Sequence, residues 1–358
     1  MGSENVSGSP TDGRRLRQTD GRRLRQPTVK EVAVLAGVSP MTVSRTMGGG
    51  VNVRPELRDR VLEAARTLGY HRNEVARRMR AGQGSGLVGI GITNLANPYY
   101  AGVALGVEDV VAQHGLRILM GSTGEDLTRE QQLVADFLSR QVEGLILVPS
   151  GDVTDHLQDV VAGGIPLVLA SRAVPGLAVD QVLLDDVGGA REGTRALLAA
   201  GHRRIAYLGN AASVSTGNRR FEGFVRALAE AGLEPDPLLV KRGQQEVEAA
   251  REAMGGLLEL ADPPTAVFCA NNRNSVGALG AIGEWLRRHG AGAPVPALLA
   301  FDDFELAELM PCPVTVIDHD PRELGRAAGR LLVERWQGEG HAQAQVVEIP
   351  TRVVVARP

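Results

Sequence analysis

Two cysteines, Cys269 and Cys312, are all that the 358 residues contain. That is too few for a disulfide scaffold, and their spacing matches no metal-ligand set, so they read as ordinary thiols of a reducing compartment. No apolar run approaches the roughly 20 residues that span a bilayer. The N-terminus opens polar and turns arginine-rich, without the apolar segment of a secretory signal, which points to a cytoplasmic location. Lysine is scarce too: Lys30 and Lys241 stand alone among arginines. A catalytic constellation is also missing. Gly84-Ser85-Gly86-Leu87-Val88-Gly89 fits G-x-G-x-x-G but leads into a strand instead of linking a strand to a helix, and there is no Walker A sequence. His114, His202 and His319 have no partners at metal or triad spacing, and Ser171 lacks the nucleophile-elbow glycines. The chain therefore reads as a non-enzyme with no cofactor and no metal.

What is present is a globular composition, 43% hydrophobic and 23% charged with 44 Gly and 19 Pro, long enough for two or three domains. The net charge of −3 hides an asymmetry: through Gly82 there are 16 Lys+Arg against 8 Asp+Glu, and beyond it 23 against 34. A basic head on an acidic body suits a head that meets a polyanion. Residues 1–26 read as a disordered tail in which the octapeptide TDGRRLRQ occurs twice, at Thr11–Gln18 and Thr19–Gln26. Its six arginines form either a solvated tail or an arm that adds attraction to phosphates.

From Thr28 onward helical signals begin. Thr28-Val29-Lys30-Glu31 is a capping box, followed by Val32, Ala33, Leu35 and Ala36 on an apolar stripe and a stop at Gly37. Ser39 caps a second helix with Pro40 at its first position. A third starts near Pro55, with Leu57, Val61, Leu62, Ala65 and Leu68 at helical spacing and Gly69 after it. This is a helix-turn-helix pattern. Its second helix offers Pro40, Met41, Thr42, Ser44 and Arg45. Short hydroxyls suit phosphate oxygens, and an arginine can fork onto guanine O6 and N7. Together with Thr28 and Ser39 these are the expected DNA contacts of the head. From Leu87 the rhythm becomes strand, loop, helix, repeated, with strands expected at Leu87–Ile92, Leu116–Met120, Gly144–Val148, Pro166–Ala170, Val182–Leu184, Arg204–Leu208, Ala266–Cys269 and Ala297–Phe301. Near-continuous apolar strands alternating with amphipathic helices mean parallel sheets covered on both faces, here too many for one sheet.

These residues carry a resemblance. Thr28–Ala33, Ala36–Ser39, Thr42–Arg45, Arg58–Ala65 and Leu68-Gly69-Tyr70 resemble the headpiece of the LacI/GalR family of bacterial repressors. Asn97-Pro98-Tyr99-Tyr100, Gly201–Ala206, Arg220–Phe224, Phe301-Asp302-Asp303 and Glu323-Leu324-Gly325 continue it downstream in order. The resemblance implies a small all-α helix-turn-helix domain followed by an α/β body of two parallel-sheet subdomains of the periplasmic-binding-protein type. It implies a headpiece at residues 27–72, a hinge helix and linker at 73–86, and an effector-binding body at 87–358. The body's first lobe is expected at about 87–183 plus 318–342, and the second at about 184–317 plus 343–358.

Function follows as expectation. The resemblance implies a ligand-responsive repressor, a homodimer on a pseudo-palindromic DNA operator, with no membrane partner. Asn73, Ala76, Arg77 and Met79 match the hinge that enters the minor groove, Met79 at the lever position, where an apolar wedge kinks a base step. Tyr99, Tyr100, Arg172, Arg220, Asn271 and Asp302 match the effector cleft between the lobes. Three departures stand out: Ser171-Arg172 replaces Asp-Arg, Asn271-Asn272 replaces Asn-Asp, and Lys241–Glu248 holds no aromatic. A sugar or sugar-like effector is expected, and the two lost carboxylates raise the alternative of an anionic ligand held by Arg172 and Arg220. A small-molecule binding protein without a transcriptional role is the competing reading. The C-terminal Thr351–Pro358 lacks a tetramerising heptad helix, so a dimer is favoured over a tetramer.

Overall fold

A computed structural model describes residues 27–49, 53–71, 84–304, 312–340 and 343–355. The tandem octapeptide and the expected hinge residues Asn73, Ala76, Arg77 and Met79 lie outside the described residues. The chain divides into two compact units, residues 1–74 and 75–358.

The first unit holds α1 (Val29–Ala36), α2 (Pro40–Met47) and α3 (Pro55–Leu68). Both halves of the capping box form: the Thr28 backbone N–H donates to Glu31 Oε2 at 2.7 Å, and the Glu31 N–H to Thr28 Oγ1 at 3.3 Å. Gly37 takes φ +62°, and a Cβ there would lie 2.5 Å from the Arg60 guanidinium, so glycine turns the chain from α1 into α2. Ser39 Oγ accepts from the Thr42 N–H at 3.1 Å. Val32, Ala33, Ala36, Val43, Val61, Ala64 and Ala65 form the core. Leu35, expected on the apolar stripe, is 53% exposed because the buried face follows Val32, Ala33 and Ala36.

The second unit begins with β1 (Leu87–Ile92), α4 (Pro98–Val111), β2 (Arg117–Ser122), α5 (Leu127–Ser139), β3 (Gly144–Leu147), α6 (Asp155–Ala162), β4 (Leu167–Ala170) and β5 (Asp180–Leu184). It crosses to α7 (Asp186–Ala199), β6 (Ile205–Gly209), α8 (Ser215–Glu230), β7 (Val240–Arg242), α9 (Val247–Leu258), β8 (Ala266–Cys269), α10 (Asn272–His289), β9 (Ala297–Phe301) and β10 (Val314–Asp318). It returns through α11 (Pro321–Gln337) and ends in β11 (Val346–Ile349) and β12 (Arg352–Val355). The sheets run β11-β5-β4-β3-β1-β2 and β12-β10-β9-β8-β6-β7. The pairings are parallel except β12, which runs antiparallel to β10 with Ile317 opposite Val353. Successive strand residues point to opposite faces. Ile90, Ile146, Val168 and Val182 join one cluster and Leu145, Leu147, Leu167 and Leu169 another, which is why the strands are apolar throughout.

Glycines set the distance between helices. A Cβ on Gly106 of α4 would sit 2.0 Å from the Arg322 carbonyl oxygen, and one on Gly325 of α11 would sit 2.0 Å from that of Val103. The two helices therefore touch backbone to backbone, and this contact positions the start of α4. The chain passes between the lobes at Asp185, at His319–Asp320 and at Pro350–Thr351. The last crossing corrects an expectation. Residues 343–358 do not all join the second lobe: β11 pairs parallel with β5 in the first sheet, Val347 beside Val182, and only β12 belongs to the second. Short edge strands with partly exposed residues carry little apolar signal, so sheet membership is decided by which edge lies open.

Candidate functional site

In the headpiece, α2 turns Pro40, Met41, Ser44 and Arg45 outward while Val43 and Thr46 are buried. Met41 is 63% exposed. The Thr42 hydroxyl lies 2.9 Å from Ser39 Oγ, and Thr28 and Ser39 both use their side-chain oxygens as caps. Among the described residues no carboxylate pairs with Arg45. The exposed strip therefore presents an apolar thioether, a hydroxyl and a guanidinium together.

The second assembly sits in the body, where the loops at the carboxyl ends of the strands converge. Tyr99, Tyr100, Arg172, Arg220, Asn271 and Asp302 all line one cavity between the lobes. Of the four non-glycine residues with positive φ among the described residues, Glu125 (+62°), Ser171 (+64°) and Asp302 (+74°) stand on this wall. Such backbone is held only where surrounding contacts over-determine it.

Each polar group has a fixed partner. Arg172 forks onto Glu125, Nη1 to Oε2 at 2.6 Å and Nη2 to Oε1 at 2.7 Å, and Nη1 also reaches the Pro149 carbonyl at 3.1 Å. Arg220 Nε donates to Asp186 Oδ1 at 2.8 Å and Nη1 to the Ala270 carbonyl at 2.6 Å, with its guanidinium 3.7 Å from the Phe301 ring centre. Asp302 accepts from His319 Nε2 at 2.8 Å and from the Asn272 N–H at 3.3 Å. Burial works against the Asp302 charge, yet Arg220 and His319 outweigh it and hold the carboxyl below its ordinary range. Tyr99 OH lies 2.6 Å from Ser171 Oγ, and burial pushes that phenol up. Asn271 caps α10 through Oδ1 and donates Nδ2 to Asn210 Oδ1 at 2.9 Å.

An anion held by Arg172 and Arg220 requires free positive charge, but Glu125 and Asp186 neutralise both arginines. The carboxylates that pair with these arginines come from 47 and 34 residues away. Tyr100 is 7% exposed, accepts from Thr93 Oγ1 at 2.8 Å and meets Tyr99 edge to face, so its ring is wall and not a stacking platform. The structure also gives His319 a partner, Asp302, that linear spacing concealed. Sequence reasoning missed Glu125, Asp186, Asn210 and His319; the one signal for Asp186 was its place just after a strand at a lobe crossing. Both cysteines are buried free thiols, Cys312 pushed up by burial to about 11, so neither is a ready nucleophile. Among the described residues no group of His, Cys, Asp or Glu could hold a metal, and no helix is long and apolar enough to cross a membrane.

The cavity is narrow, about 70 Å³. That is less than the ~150 Å³ that admits a benzene ring. Asn272 Nδ2 donates across the lobes to Asn97 Oδ1 at 2.8 Å, and Arg219 reaches Glu348 at 2.7 Å. These two contacts join the lobes across the cleft.

Comparison with known proteins gives matches over both units. Residues 28–73 match the pattern described as "Bacterial regulatory proteins, lacI family", and residues 85–356 that of "Periplasmic binding proteins and sugar binding domain of LacI family". The HTH-type transcriptional repressor CytR of Escherichia coli (strain K12) is 30% identical over 313 residues, 87% of this chain and 90% of CytR. Among solved structures, a complex of the transcriptional regulator CelR with cellobiose superposes with a TM-score of 0.68 at 30% identity, covering 92% of this chain and 99% of that one. The Lac repressor dimer bound to operator and the anti-inducer ONPF gives 0.70 at 26% identity, with 92% and 98% covered.

Proposed function

The chain belongs to the LacI family of bacterial regulatory proteins, and from that premise we propose that it is a ligand-responsive transcriptional repressor. It acts as a homodimer in the cytoplasm: two headpieces read the half-sites of a pseudo-palindromic operator, so protein symmetry mirrors DNA symmetry. The observation that carries the reading is the presence, in one chain, of an outward Met41–Ser44–Arg45 strip on a capped helix and a closed, charge-balanced polar cleft. Ser44 and Thr42 set register on phosphates, and Arg45 reads a guanine edge. Asn73, Ala76, Arg77 and Met79 enter the minor groove, a part of the proposal that rests on resemblance alone.

The effector is a neutral hydroxylated molecule of sugar type. Arg172 and Arg220, each already neutralised, present N–H donors without net charge to attract an anion, and planar amide and guanidinium groups suit hydroxyls. CelR with cellobiose and the Lac repressor with ONPF are relatives holding small molecules. Effector and operator affect each other through the angle between the lobes, typically by about 1–3 kcal/mol, reciprocally.

Selection from random duplexes, with and without a panel of sugars, tests this. A palindrome should emerge, its affinity changed by about 5–150-fold by one of the sugars; no preference over random DNA at physiological salt under any addition would overturn the reading. Arg45→Ala should cost about 1–3 kcal/mol on the selected operator while leaving binding to unrelated DNA nearly intact. Equal loss on every duplex would remove Arg45 from base reading.

A further inference from the structure

Gly84-Ser85-Gly86, the glycines that mimic a nucleotide loop, close around a side chain of the protein itself. Glu143, immediately before β3, accepts the Gly86 N–H on Oε1 at 2.8 Å and the Ser85 hydroxyl at 3.5 Å. Ser85 Oγ in turn accepts the Leu87 N–H at 3.1 Å. Gly84 and Gly86 take φ +68° and +76°, and a Cβ on Gly84 would collide with Glu143 Oε1. Glycine alone lets the backbone fold this tightly over a carboxylate. The clasp is shielded, with Ser85 3% exposed. The other carboxylate oxygen, Oε2, accepts the Trp336 indole N–H at 3.3 Å, from the last turn of α11. One carboxylate therefore joins the linker, β3 and α11, through bonds strengthened by its charge.

The course of α11 gives this clasp a task. At the cleft end, Asp320 caps the helix next to His319, the partner of Asp302. Pro321 borders a second chamber of about 420 Å³ that shares its Tyr99 wall with the polar cavity. Trp336 lies roughly 20 Å further on at 1.5 Å per residue. The start of α4 carries the Asn97–Asn272 bond, and α4 touches α11 backbone to backbone, so the two helices move together. At the other end of the connection, Gly84-Ser85-Gly86 without its clasp would be a flexible coil that absorbs a displacement instead of passing it on.

Resting on the repressor reading above, we infer that Glu143 is a positioning residue of the switch. It fixes the point at which the chain from the headpiece enters the body, and through Trp336 it makes that point follow the cleft. Glu143 lines neither cavity, so it acts on the linker and not on the effector.

Binding of the full chain to the selected operator, with and without the panel of sugars, tests this. Glu143→Ala should lose about tenfold or more on that operator, the scale of one hydrogen bond to a charged group, while its affinity for unrelated DNA and for the sugar stays within about twofold. Gly84→Ala, which displaces the carboxylate and removes no polar group, should repeat the loss, and it decides the matter if Glu143→Ala does not fold. Trp336→Phe keeps the Gly86 bond and an aromatic ring but removes the indole N–H. It should leave operator affinity nearly unchanged and cut the effect of the sugar on that affinity about threefold or more. Folded Glu143→Ala or Gly84→Ala with the parent's operator affinity overturns the inference, and so does Trp336→Phe with the parent's full sugar response. If no sugar alters operator binding by the parent, the effector reading falls and the operator arm alone decides the clasp. If the parent selects no operator, the repressor reading falls and the inference with it.

Discussion

Arg220 carries its charge inside the protein: its side chain is 8% exposed and that of its partner Asp186 is 1%. Removing one member of such a pair leaves an uncompensated buried ion, at a cost of about 3–5 kcal/mol. Arg220→Met should lower the unfolding free energy in urea by that amount, and adding Asp186→Asn should recover part of it by removing the stranded carboxylate. A single variant as stable as the parent would show that the buried pair does not carry this cost. This residue also marks how far sequence reading reaches. Arg220 was legible because it sits in the contiguous Arg220–Phe224 stretch. Asp186 and Glu125 were not, because their pairings form only when separate strand ends meet, and no local pattern encodes that meeting. The anionic-ligand alternative came from this: the absence of a neighbouring carboxylate was visible in the sequence, the pairing of each arginine with a distant one was not.

Elements show the same division. The caps at Thr28 and Ser39 were readable because cap and recipient lie three residues apart. The strands β1, β8 and β9 were readable to the residue because burial on both faces demands an unbroken apolar run. β7 and β11 are short, half-exposed edge strands whose pattern resembles loop. The glycines of α4 and α11 were visible as letters without a role, since the need for them comes from the partner helix. Gly106→Ala would push a methyl group against the Arg322 carbonyl, 2.0 Å away, where no side chain can yield. A loss of about 1–3 kcal/mol is expected from such overpacking, read in thermal or urea unfolding. Gly115→Ala, at a positive-φ turn where an added Cβ meets nothing within 4 Å, serves as control for backbone strain alone.

At the scale of the molecule, three chain crossings tie the lobes, and among the described residues the Asn97–Asn272 hydrogen bond and the Arg219–Glu348 ion pair span the cleft. Arg219 and Glu348 are 35% and 50% exposed, so that ion pair contributes about 0–1 kcal/mol. The Asn97–Asn272 bond is half-buried and counts for more. Asn97→Ser keeps an N-cap for α4 but is too short to reach Asn272. It should favour the open form by about 0.5–1.5 kcal/mol. Small-angle scattering should then record a larger radius of gyration without ligand, and saturating ligand should change it differently from the parent. An unchanged profile would mean that the crossings alone hold the lobes closed.

The order of residues by itself determined the basic head, the three capped helices, the alternating apolar body and the family to which the chain belongs. Each rests on interactions between near neighbours or on burial that marks every residue of an element. Only the tertiary structure decided the charge balance of the cleft, the second chamber behind Tyr99, the partner of His319 and the lobe that claims β11. Those depend on groups brought together from distant parts of the chain, where the energy of a contact is set by geometry that no local pattern records.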